Sequence, residues 1–205
     1  MPIRAVVFDI GGVLEITPVT GWATRWETLL DLVPGALAER MADVWRAGSI
    51  GTITEAEMER RTAEILGFDQ AQLRAFMDDI WAEYLGSPNT ELIDYFASLR
   101  PRYQTAILSN SFVGAREREH AAYAFGDLCD LIIYSHEEGM QKPDPRFYAL
   151  LPERLGVQPG EILFLDDVEV CVAGARACGI HAILYQHNAQ AIAAIEQHLR
   201  DRQEE

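Results

Sequence analysis

Six residues of this chain have the types and positions to do chemistry together: Asp9, Ser109, Asn110, Lys142, Asp166 and Asp167. Asp9 follows an apolar run in AVVFDI (5–10), with Gly11 and Gly12 directly behind it. Ser109 and Asn110 end QTAILSN (104–110), Lys142 lies in GMQKPDP beyond LIIYS (131–135), and Asp166 and Asp167 end EILFLDD (161–167). Three carboxylates brought to one place cannot all ionise cheaply, so either a pKa rises or a cation is recruited. Hard oxygen donors at an open site with one lysine nearby favour Mg²⁺. The same set suits phosphoryl transfer, where catalysis is mainly positioning and neutralisation of the equatorial oxygens. Taken singly, each residue has a plainer role. Asp9 is as readily a turn residue as a nucleophile, Ser109 and Asn110 serve as loop hydrogen-bonders, Lys142 as a solvated surface lysine, and the Asp166–Asp167 pair as a helix cap.

What sets these residues apart is the kind of element each one follows. The runs 5–10, 104–110, 131–135, 161–167 and HAILYQ (181–186) are short, β-branched and without polar alternation, as expected of strands covered on both faces. Helix-like segments lie between the later runs. One is expected over 88–99, with Ser87 as its N-cap and Pro88 in its first position; another begins at Asp144–Pro145, and a third covers 168–178 and stops at Gly179. Alternating strands and helices imply parallel βαβ units and an α/β, doubly wound sheet. Ligands of such sheets bind beyond the carboxyl ends of the strands, which puts all six residues on one rim.

Residues 16–87 break the alternation. They contain no convincing strand, and segments 21–32, 34–48, 52–67 and 70–85 have helical spacing, the third carrying a capping box of Thr54 and Glu57. We therefore expect a core of 1–15 and 88–205 with an all-helical insertion at 16–87.

Composition narrows the range of partners. Lys and Arg number 17 against 32 Asp and Glu, a formal net charge of −15, which repels nucleic acid and anionic membrane surfaces. Cys129, Cys171 and Cys178 form no CxxC pair, arguing against a disulfide framework or structural zinc and suiting a reducing, cytoplasmic setting. No signal-peptide pattern or membrane span is read. The expected partner is a small phosphorylated metabolite, and the expected assembly a monomer or homodimer. The five histidines have no metal-ligand spacing; Glu15 and His136 are retained as supporting groups.

VVFDIGGVL, AILSNS, GMQKPDP and LFLDDVEVCVAGARACGI, in this order, resemble the four motifs of the haloacid dehalogenase-like hydrolase superfamily, over essentially the whole chain. The resemblance implies a Rossmann-like core, a mobile helical cap at 16–87, Mg²⁺ and an aspartyl-enzyme intermediate. On that pattern Asp9 is the nucleophile, and Asp9, Asp167 and the Gly11 carbonyl hold the metal, with Asp166 as ligand or support. Ser109, the Asn110 backbone and Lys142 hold the transferring group.

Two positions depart from the pattern. Most phosphatases of the superfamily carry a second aspartate, the general acid/base, where this chain has Gly11, and an Asn or Asp where it has Cys171. Losing general acid/base help costs a factor of about 10² to 10⁴ without abolishing attack by Asp9. The first expectation is thus a Mg²⁺-dependent phosphatase of small phosphomonoesters, with sugar phosphates among its substrates. A metal-independent 2-haloacid dehalogenase is the second, and a non-catalytic descendant binding a phosphorylated ligand the third. Substrate choice is expected to reside in the cap, where Trp22, Arg25, Trp26 and Trp45 are the conspicuous side chains.

Overall fold

The structure is a computed structural model and describes residues 1–201. Its elements run β1 (Ala5–Phe8), β2 (Glu15–Ile16), α1 (Trp22–Leu29), α2 (Ala36–Ser49), α3 (Glu55–Leu66), α4 (Gln70–Leu85), β3 (Ser87–Pro88), α5 (Thr90–Ser98) and β4 (Gln104–Ser109). They continue with α6 (Ala115–Tyr123), α7 (Phe125–Leu128), β5 (Leu131–Tyr134), α8 (Ser135–Glu138), α9 (Pro145–Leu155), β6 (Ile162–Asp166), α10 (Glu169–Ala177), β7 (His181–Leu184) and α11 (Asn188–Asp201).

Five strands form one parallel sheet in the order β5-β4-β1-β6-β7. The first strand is central, so the chain builds outward on one side and then returns to build on the other. Alternation along β1 explains the two layers of helices. Val6 and Phe8 point into a core shared with Leu92 and Phe96 of α5 and Ile195 of α11, whereas Ala5 and Val7 meet Phe147 and Leu151 of α9 and Val172 of α10. Every residue of β1 is fully buried, which is why its sequence carries no polar alternation. The α/β doubly wound expectation holds.

Helices α1–α4 lie between β2 and β3 and have a hydrophobic cluster of their own, centred on Trp26, Met41, Phe76 and Trp81. Val113 and Ala115, beyond β4, join this cluster, so its apolar face is completed by the sheet rim. The neck of the insertion corrects two readings. Glu15–Ile16 pair antiparallel with Ser87–Pro88, so the neck is a two-residue ribbon where no strand was read. Ser87 and Pro88 are spent on that pairing, and α5 accordingly starts at Thr90 behind Asn89.

The capping pattern is also redistributed. Thr54 accepts from the Glu57 N–H at 3.2 Å, but the Glu57 carboxylate turns to Arg60 and Arg61 rather than completing the box. The reciprocal box sits at Asp69 and Gln72, opening α4. Among the described residues no helix is long and apolar enough to cross a membrane.

Candidate active site

The parallel register brings the strand ends level. Phe8 pairs with Ile107 of β4 and Leu165 of β6, and the Asp9 N–H donates to the Leu165 carbonyl at 2.9 Å. Asp9 therefore leaves the sheet between Ser109 and Asp166. The backbone then turns sharply, with the N–H groups of Val13 and Glu15 both donating to the Ile10 carbonyl. Gly12 makes this turn possible: its φ is +70°, and a Cβ there would lie 2.2 Å from Asp167 Oδ2. The second glycine of the sequence thus clears the space that Asp167 occupies.

Lys142 joins the carboxylates. Its Nζ stands 2.8 Å from Asp9 Oδ1 and 2.7 Å from Asp166 Oδ2, and all three side chains are almost completely withdrawn from water. Burial works against the Lys142 charge, but Asp9 and Asp166 outweigh it and hold the ammonium above its ordinary range. Burial pushes Asp9 up to about 7; Lys142 opposes the rise and Asp166 adds to it. The lysine loop is itself fixed by Asn110, whose Oδ1 accepts from the Lys142 N–H at 2.7 Å while its Nδ2 donates to the Lys142 carbonyl at 3.0 Å. Ser109 is buried at the end of β4, its hydroxyl making only a 3.4 Å contact with the Asn110 carbonyl.

Asp9, Asp166 and Asp167 each bring a carboxylate oxygen within 4.8 Å of the others. Against these three carboxylates stands the one ammonium of Lys142, an excess of negative charge that suits a divalent cation. The three are not equivalent. Asp166 is fully buried with both oxygens engaged, Oδ2 by Lys142 and Oδ1 by the Val168 N–H at 2.8 Å. Asp167 is exposed, and burial of its inner side and the neighbouring Asp166 raise its pKa. Asp9, with Oδ1 alone engaged, and the exposed Asp167 are thus the members of the cluster with oxygens that could hold an ion, while Asp166 holds the lysine.

Gly11 leaves room where a second acidic side chain would begin. A Cβ there would find one atom within 4 Å, Glu15 Oε2 at 4.0 Å. Glu15 is buried, its Oε2 accepting from the Thr17 hydroxyl at 2.7 Å, and the Gly12 N–H also bears on the carboxylate. Burial pushes this carboxyl up to about 7. Cys171 faces inward on α10, its carbonyl accepting from the Tyr148 hydroxyl at 2.7 Å, and burial raises its thiol to about 11.

Sequence reasoning passed over a second buried set. Glu119 of α6 is bonded to the hydroxyls of Tyr134 and Tyr84, and burial pushes its carboxyl up to about 7. Burial likewise raises Tyr84, with the charges of Glu119 and Asp9 adding to it, so this tyrosine connects α4 to the site. His136 Nδ1 lies 2.6 Å from the Ser111 hydroxyl, and Ser135 Oγ donates to the Ser49 carbonyl of α2 at 2.7 Å. Burial lowers the His136 pKa. Trp26 belongs to the core of the insertion, with its indole N–H donating to Asp79 at 2.7 Å, and Arg25 pairs with the same carboxylate at 2.6 Å.

A family profile described as haloacid dehalogenase-like hydrolase matches residues 3–179. The chain belongs to that family. Among curated relatives, bifunctional epoxide hydrolase 2 of Sus scrofa is 28% identical over 96% of this chain and 39% of its own length. The chain thus spans about two-fifths of that relative. Phosphatase MT3486 of Mycobacterium tuberculosis is 33% identical over 93% of this chain and 90% of its own. The (S)-2-haloacid dehalogenase of Xanthobacter autotrophicus is 28% identical over 86% and 72%. A HAD-like family hydrolase from Porphyromonas gingivalis has a TM-score of 0.80 at 25% identity, covering 98% of this chain and 99% of that one. The magnesium complex of the HAD family enzyme bt-2542 from Bacteroides thetaiotaomicron shares the fold, with a TM-score of 0.79 at 23% identity, covering 91% and 94%. This haloacid dehalogenase-like hydrolase therefore has relatives named for both phosphate and halide chemistry.

Proposed function

We propose that this hydrolase is a phosphatase of small phosphomonoesters that works through a phosphoryl group carried on Asp9. The observation that carries this reading is the crowding of Asp9, Asp166 and Asp167 around a single lysine. A carboxylate nucleophile attacking a halogenated carbon needs no such excess of negative charge, whereas a phosphate ester held by a divalent cation does. Relatives named as phosphatases, Phosphatase MT3486 among them, support the same reading.

Asp9 and Asp167, with the Gly11 carbonyl, would hold Mg²⁺. When bound, the ion neutralises the phosphate oxygens and balances the carboxylates. Everything else falls to the chain itself. Asp9 presents an oxygen to phosphorus, and the ammonium of Lys142 beside it favours the ionised carboxylate against the larger pull of burial. Lys142 and the Ser109 hydroxyl bind the remaining phosphate oxygens, and Asn110 keeps Lys142 in reach by its two bonds to the lysine backbone. Asp166 stays as the fixed counter-ion that orients the ammonium. The helical insertion closes over this rim as a cap while the Asp9–phosphorus bond forms and the ester P–O bond breaks; the departing alkoxide, with no acid at Gly11, takes its proton from water as the cap opens, and water then hydrolyses the phosphoryl enzyme.

Phosphate release from a panel of phosphomonoesters with Mg²⁺ tests the assignment. Turnover that disappears in Asp9→Asn is expected. Chloride release from 2-chloropropionate, unaffected by chelator and without any phosphate release, would replace this reading with the dehalogenase one.

A further inference from the structure

A cavity of about 390 Å³ lies between the helical insertion and the loop that follows β4, a size ordinary for small-molecule sites. Trp22 of α1, Trp45 of α2, Met58 of α3, Ile80 and Trp81 of α4 and Phe112 of the loop make most of its wall. The aromatic rings are braced from behind. Trp22 meets Trp45 and Phe76 edge-on, with centroids 6.1 and 5.5 Å apart, and Trp81 meets Phe112 in the same manner at 6.5 Å.

The cavity continues the catalytic rim. Ser111 and Phe112, which line it, follow Ser109 and Asn110 directly on the loop leaving β4, and β4 is the strand paired with β1, at whose end Asp9 stands. Tyr84 lines it from the opposite side and is bonded to Glu119. A phosphate held at Asp9, Ser109 and Lys142 would have this apolar space ahead of it for its organic group.

The polar atoms along the wall are few, and among them the indole N–H of Trp81 is buried with no partner among the described residues. The Ser49 hydroxyl donates to the Arg46 carbonyl at 3.0 Å, the Ser111 hydroxyl pairs with His136 Nδ1 at 2.6 Å, and the Tyr84 hydroxyl is held by Glu119. Arg46 is largely exposed, with Asp43 3.8 Å away. A polyhydroxylated carbon skeleton would find the Trp81 N–H and the rim charge of Arg46 for several hydroxyls and would bury the rest against rings and methylenes, which is costly. A hydrocarbon loses nothing by entering and gains about 0.8 kcal/mol per buried methylene, the equivalent of about fourfold in an equilibrium or specificity constant.

We infer that this cavity receives the organic group of the substrate, and that the substrate class is the monophosphate ester of a hydrophobic alcohol rather than a sugar phosphate. This rests on the phosphatase reading for the phosphate half of the molecule and on the cavity for the other half.

The experiment has two arms on the intact protein. In the first, kcat/KM is measured with Mg²⁺ for n-alkyl phosphates from ethyl to octyl, for glucose and glycerol phosphates and for an aryl phosphate. In the second, calorimetry follows binding of the matching n-alkylphosphonates, which cannot be hydrolysed. We expect both kcat/KM and affinity to rise by about fourfold per methylene until the cavity is full, with the longer alkyl phosphates well ahead of the sugar phosphates. Trp45→Ala and Ile80→Asn, checked for folding by circular dichroism, should each flatten that slope; should either fail to fold, the two series on the unmodified protein decide.

Turnover that is flat with chain length, or that favours sugar phosphates, overturns this inference and leaves the phosphatase reading standing. Affinity that climbs with chain length while no ester is turned over, the aryl phosphate included, overturns the phosphatase reading and with it the substrate class, leaving only the cavity as a hydrocarbon-binding site. Flat affinity without turnover removes both.

Discussion

The Nζ of Lys142 lies 2.8 Å from Oδ1 of Asp9, deep enough that neither side chain has more than a tenth of its surface in water. Two carboxylates share this one ammonium, since Asp166 holds it from the other side at 2.7 Å. The lysine therefore works both as the counter-charge of two buried aspartates and as the group that opposes the rise of the Asp9 pKa with burial.

Lys142→Met consequently does two kinds of damage. Leaving Asp9 and Asp166 buried without their cation should cost about 3 kcal/mol of stability, because breaking one side of a buried ion pair strands the other. Loss of the preorganised positive charge should lower kcat/KM for a phosphomonoester by a factor of about 10² or more. Chemical denaturation and steady-state kinetics measure the two effects separately.

Stability of the metal-free protein should fall as the pH rises from about 4.5 to about 7. Glu15 and Glu119, each 4.5 ordinarily, are both pushed up to about 7 by burial. Between those values the folded chain binds more protons than the unfolded one, so raising the pH favours unfolding, and above the folded values the loss is complete. Urea midpoints across this range record the slope. Asp9, also pushed up to about 7, adds to the same slope, so Glu15→Gln, which keeps the hydrogen-bonding shape without the ionisation, should remove roughly a third of it; an unchanged slope would mean that Glu15 is not a source of it.

Mg²⁺ should stabilise the protein at neutral pH, by about 2.7 kcal/mol when present at a hundred times its dissociation constant. Asp167 is the exposed member of the carboxylate cluster, and Asp167→Asn should abolish most of that gain while changing the metal-free melting temperature little. Thermal melts with and without chelator test this. A melting temperature indifferent to Mg²⁺ in the unmodified protein would count against the metal site.

The rim of the sheet was legible because buried parallel strands announce themselves as short β-branched runs, and the residues after them must then converge. The convergence of Asp9, Lys142 and Asp166 follows from position in this way. Glu119 is not legible, because it lies in the unbroken polar run REREH (116–120) and nothing in its spacing marks one glutamate as buried. The neck ribbon escaped for a different reason: two-residue strands have no period, and Ser87–Pro88 carries the ordinary signal of a helix start. Trp45 could be seen as conspicuous but not as the wall of a cavity, since the opposite wall comes from residues some sixty positions later, at Ser111 and Phe112. The gap at Gly11 was plain in the sequence, whereas the carboxylate of Glu15 standing next to it emerges only from the turn that folds the chain back.

The central claim is that Asp9 carries the phosphoryl group, and an acid-quenched peptide mass spectrum taken during turnover of an aryl phosphate with Mg²⁺ tests it most directly. With no acidic side chain at Gly11 to activate water, the second half-reaction should be the slow one, and the phosphoryl enzyme should accumulate. We predict a phosphoryl adduct on the peptide containing Asp9, absent from Asp9→Asn. Steady phosphate release with no adduct on that peptide, persisting undiminished in Asp9→Asn, would contradict the account.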